Sequence, residues 1–183
     1  MAHPSLEEMM ARMRAARDAG SVNEASPEQL QQLRTLAREC PAFTPNLLEL
    51  ARLLRLTDQP EVGTEEAFAE IQRLLDQAVL ASGRSAPALL ELAHFTDTFL
   101  ASPEQAEKLF EESVSSALHA LENSWAGLID FWVMERRKDT LEKALKLGEL
   151  AERVFPESPR ILNVVEDARE KAARAGLLPS DER

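Results

Sequence analysis

Tyrosine is absent, cysteine occurs once, glycine six times, and aromatic residues make up only 5% of the 183 positions. A lone cysteine, Cys40, excludes an internal disulfide framework and a cysteine-based zinc site. It reads as a small buried hydrophobe at a helix end in a reducing compartment. Val and Ile are thinly spread, so long strands have little to build from. No glycine-rich phosphate loop and no nucleophile elbow is present. No apolar run approaches the roughly 20 residues that span a bilayer, so no membrane insertion is expected. The opening "MAHPSLEEMMARMRAARDAG" has no uninterrupted apolar core, so it does not read as a secretory signal. Basic charge is also scarce: 21 Lys and Arg face 32 Asp and Glu, a formal net charge of −11. That balance argues against a nucleic-acid surface. The expected location is cytoplasmic.

What is present points to helices. Hydrophobic residues make up 44% and charged residues 29%, the balance of a folded chain. Ala, Leu, Glu, Arg and Gln dominate, all good helix formers. The expected fold class is all-α. Ser26-Pro27 with Gln29 and Ser102-Pro103 with Gln105 each combine an N-cap, a first-turn proline and a capping-box partner. Ser5 with Glu8 is another capping box; Thr44-Pro45, Ser158-Pro159 and Thr64 supply further starts. Stops stand at Gly20, Gly83, Gly176, Pro41 and Pro156. About nine helices are expected, near 5–19, 27–39, 45–57, 65–82, 87–100, 103–121, 125–137, 140–155 and 159–175. Short connections make consecutive helices antiparallel neighbours.

The pentapeptide "LLELA" occurs twice, at Leu47–Ala51 and Leu89–Ala93, each time behind a proline. "PSLEEMM" from Pro4, "NSWAGLI" from Asn123 and "PRILNVV" from Pro159 repeat its apolar order. The second helices share their own pattern: Leu30 with Ala37, Ala67 with Leu74, Ala106 with Ser113, Ala144 with Ala151. Repetition at separations of 36 to 42 residues marks a helical hairpin used in series. One partner helix cannot cover such a stripe, so hairpins stack and need a terminal cap. The expected units are 4–41, 45–82, 87–121 and 123–156, with a capping helix at 159–175 and a frayed tail at 177–183.

This organisation resembles tetratricopeptide repeats. "WAGLIDFW" with Trp125, Leu128 and Trp132, followed by Ala144, Ala151 and Pro156, is the best copy. Leu89, Leu92, Ala93, Ala106 and Phe110 form the preceding one, and Ala37 and Pro41 belong to the first. The resemblance implies a right-handed α-solenoid of about four antiparallel hairpins, with the first helix of each lining a groove. Arg52, Arg55, Glu91, His94, Asp97, Asp130, Val133 and Met134 are the expected groove residues. Groove Lys and Asn residues with which family members grip an acidic peptide C-terminus are largely missing.

Other constellations are weaker. Glu91 and His94 have the Glu-x-x-His spacing of di-iron bundles, but no second copy accompanies them. The serines sit mainly at caps and the chain has three histidines, so general acid–base agents are few and an enzyme is not expected. Trp125 and Trp132 share a helix face and read as packing. So do Met9, Met10 and Met13. "MERRKD" at Met134–Asp139 is the one compact basic cluster. Residues 42–123 carry 14 acidic side chains against five basic ones (Arg52, Arg55, Arg73, Arg84 and Lys108). Such a field suits a basic or amphipathic partner, or is simply a solvated outer face.

The expected function is protein–protein interaction, as a cytosolic adaptor gripping a segment of a partner. A small acidic chaperone and a metal or enzymatic protein centred on Glu91 and His94 are the alternatives. A second copy of the chain is a further candidate partner. No cofactor is expected.

Overall fold

The computed structural model describes residues 4–20, 25–58 and 61–177. Among them are eight helices and no strand: α1 (Leu6–Asp18), α2 (Pro27–Glu39), α3 (Thr44–Leu56), α4 (Thr64–Ala81), α5 (Ala86–Thr98), α6 (Pro103–Glu135), α7 (Lys138–Val154) and α8 (Pro159–Arg174). The expected tail beyond Leu177 and the first three residues lie outside the described residues. The chain divides into two compact units, Met1–Ser116 and Ala117–Arg183, each with its own apolar core.

Local chemistry explains most helix ends. Ser5, Ser26 and Ser158 accept hydrogen bonds from the backbone N–H groups of Glu8, Gln29 and Ile161 at 3.2, 3.1 and 3.2 Å. Thr44 and Thr64 do not cap: each is the first helical residue, behind Phe43 and Gly63 respectively. After α4, Gly83 turns left-handed at φ 63°, and the Arg84 N–H closes back on Val79 O at 2.8 Å. Glycine tolerates that conformation because it has no Cβ to crowd the following carbonyl.

The repeated seam is buried alike in both full copies. Leu47, Leu50 and Ala51 lie in the core of the first unit, and so do Leu89, Leu92 and Ala93. α3 packs against α2, α4 and α5, so its stripe meets three neighbours. Each fully buried leucine contributes about 1.5–3 kcal/mol. In the second unit, α7 and α8 pack closely beside Gly148, where a Cβ would stand 3.1 Å from Val165 Cγ2.

One expected turn is missing. The sequence predicts separate helices at 103–121 and 125–137, yet α6 passes through 122–124 without interruption. "ENS" holds neither proline nor glycine, and the Ser124 hydroxyl donates back to Ala120 O at 2.8 Å instead of capping a new helix. The Trp125 ring meets Phe155 edge-on at 5.9 Å, and Met13 is buried, as packing readings require.

Leu47→Ala and Leu89→Ala should each cost about 2–5 kcal/mol in denaturant unfolding, because both remove a fully buried side chain. Leu6, the first-copy counterpart, is 66% exposed, and Leu6→Ala should stay within about 0.5 kcal/mol.

Candidate functional site

The first unit brings charged side chains of α1, α3 and α5 together. Glu49 on α3 receives Arg52 at 3.1 Å from the same helix and Arg17 of α1 at 3.4 Å. Arg55, one turn past Arg52, pairs with Glu91 of α5. The i, i+3 spacing of Glu49, Arg52 and Arg55 places all three on one face, which the apolar stripe leaves free.

Protonation follows this geometry. Burial alone would raise the Glu49 carboxyl, but the hydrogen bond and charge of Arg52, with Arg17 behind them, hold it below the ordinary glutamate range. Arg52 is raised in turn, chiefly by its hydrogen bond to Glu49.

The expected groove residues fall into three groups. Arg52, Arg55 and Glu91 belong to the charge ladder just described. His94 and Asp97 are exposed farther along α5, and the His94 ring lies edge-on to Phe110 at 5.1 Å. Asp130, Val133 and Met134 belong to the second unit, where Asp130 and Met134 are exposed. Val133 is a correction: it is fully buried, on a core seam with Ala126 and Ile129. The sequence pattern had aligned Trp125, Leu128 and Ile129 as the seam. The helix is rotated from that alignment, leaving Leu128 40% exposed and turning Val133 inward.

At Glu91 and His94, the two residues with the Glu-x-x-His spacing, the structure shows an ion pair and a ring contact. The carboxylate of Glu91 is taken by Arg55, and among the described residues no group of three His, Cys, Asp or Glu side chains is placed to hold an ion.

Asp97 leads to a feature that sequence spacing did not expose. It borders a hollow of about 880 Å³ between the end of α5 and the first turns of α6. Glu104, Glu107 and Glu111 line it from α6, at helical spacings of three and four. Phe110 and Val114 supply apolar surface there, Val114 being 58% exposed. Among the described residues that line it, none is basic. The hollow therefore combines four carboxylates with apolar contact area. The acid run was visible as composition, but its convergence with Asp97 depends on how α5 meets α6.

Comparison with known proteins now adds the family. Residues 1–83 match the Myxococcota tetratricopeptide repeat protein family. An uncharacterized 18.1 kDa protein in the carS 3' region of Myxococcus xanthus is 36% identical over 140 residues, covering 76% of this chain and 81% of that protein. The chain belongs to this tetratricopeptide repeat family. No solved structure matches. The matched span holds α1 to α4, the two hairpins whose cores were built above. Tetratricopeptide arrays are protein-interaction modules, and this chain is a repeat module of that class. Among the described residues, no helix is long and apolar enough to cross a membrane.

The Glu49 cluster gives a pH test. A carboxyl held below its unfolded value stabilises the fold above that value and loses the contribution as pH falls through the lowered one. Glu49→Gln should therefore be less stable than the parent by about 1 kcal/mol near neutral pH. Thermal unfolding should show the two converging as the pH falls below the ordinary glutamate range.

Proposed function

We propose that this chain is a non-catalytic binding adaptor whose first unit holds a basic, amphipathic segment of another protein. The acidic hollow between α5 and α6 carries this reading. A peptide presenting Lys or Arg would meet Asp97, Glu104, Glu107 and Glu111, while its apolar side chains cover Phe110 and Val114. Both contributions are needed. Exposed ion pairs contribute little each, whereas apolar burial supplies affinity without direction. The acidic field of the first unit, 19 acidic residues against ten basic, speeds encounter with such a segment. Family membership supports a protein as the ligand.

A second reading, a small acidic chaperone, is favoured by the exposure of Val114 inside the hollow. A chaperone would keep an apolar client segment soluble. Deleting the chain would then leave the client insoluble, an outcome that loss of an adaptor does not produce.

A designed amphipathic helix of Leu and Lys tests the site directly. The full chain should bind it, and Glu107→Lys with Glu111→Lys should weaken binding at least about tenfold, a change near 1.4 kcal/mol. Added salt should weaken the parent's binding as well. Equal binding by the charge-reversed chain, measured by fluorescence anisotropy, would show that the hollow is not the binding site.

A further inference from the structure

A second groove, of about 530 Å³, runs between α2 and α4, and its chemistry is opposite to that of the acidic hollow. Both helices pack on α3, whose Leu50 forms the floor together with Leu74. Two bridges span it. The Arg34 guanidinium donates to both carboxylate oxygens of Glu70 at 2.8 and 2.7 Å, and the Gln77 amide donates to Pro41 O at 2.7 Å. Each bridge joins residues 36 apart, so the two helices run parallel in one register.

That register places Arg38 and Arg73 between the bridges, on opposite walls of the same groove. Both are exposed. Arg38 donates to the Thr35 hydroxyl at 3.2 Å, and Arg73 has no ion-pair partner among the described residues. Two guanidiniums share a cleft where the carboxylate present, Glu70, is already held by Arg34. Like charges lining one groove repel, and an anion seated among them reverses the sign of that contribution. The arrangement is the more specific because basic residues are sparse here: Arg73 is one of only five between 42 and 123.

We propose that the α2–α4 groove docks an acidic peptide segment of a partner protein. Two of its carboxylates engage Arg38 and Arg73, and an intervening apolar side chain rests on the Leu50–Leu74 floor. Planar guanidinium groups bind carboxylates in a two-point fork, which gives such a segment orientation as well as charge pairing. This site is separate from the hollow of the proposed function and selects the opposite charge. Failure of one leaves the other standing.

The test uses a fluorescein-labelled peptide of alternating Glu and Leu, its Gln-Leu analogue and the full-length chain. The chain should bind the Glu-Leu peptide in anisotropy titrations and not the Gln-Leu analogue. Arg38→Ala with Arg73→Ala should weaken binding at least tenfold, whereas Arg174→Ala, at a 75% exposed arginine of the second unit, should leave it unchanged. Both groove arginines are exposed, so the double variant should keep its helical circular dichroism. Binding unaffected by the double substitution, or equal binding of the Gln-Leu analogue, would overturn the proposal. Displacement by an equal concentration of inorganic phosphate would overturn it in favour of a small-anion site. Concentration-dependent dimerisation that the double variant abolishes would overturn it in favour of a second copy of the chain.

Discussion

Burial of the α3 stripe is the constraint on which the first unit depends. Leu47, Leu50, Ala51, Leu53 and Leu54 are all buried, and α3 meets α2, α4 and α5 at once. With one face committed to the core, Glu49, Arg52 and Arg55 must stand where they meet Arg17 and Glu91. The same packing holds α2 and α4 side by side, which opens the groove floored by Leu50. Apolar burial thus sets the positions, and the charges placed there set the local sign of the surface. The division is physical: burial is strong and non-directional, while exposed charges are weak individually and set partner sign.

The first unit carries surfaces of both signs. Four carboxylates line the α5–α6 hollow, and Arg38 and Arg73, which have no ion-pair partner among the described residues, both line the α2–α4 groove. A single field averaged over an acidic chain would have hidden the second. Net charge governs long-range encounter, whereas a docked segment responds to groups within a few ångströms, inside one screening length. On the proposed reading, a helical-repeat module with two such places would hold two segments, or two stretches of one partner.

Much of the fold was legible because repeats write packing into spacing. "LLELA" marked buried positions at both copies, and Ser5, Ser26 and Ser158 marked helix starts through the chemistry of their hydroxyls. Legibility failed where local chemistry was neutral. "ENS" at 122–124 neither stops nor favours a helix, so the sequence motif suggested a new unit while the backbone continued. At Val133 a register shift of one position was enough to exchange surface for core, since successive helical positions stand about 100° apart. The binding places were less legible than the core. Arg34 with Glu70, and Asp97 with Glu107, are joined by packing between helices and by no local pattern.

The proposed recognition of a basic amphipathic segment is centred on Asp97–Val114. Chemical-shift mapping of the isotopically labelled full chain, titrated with the Leu-Lys helix, tests this most directly. Backbone amide changes should concentrate between Asp97 and Val114, with the α2–α4 groove silent. Changes centred on Arg52 and Arg55, or spread evenly over the acidic surface, would contradict it.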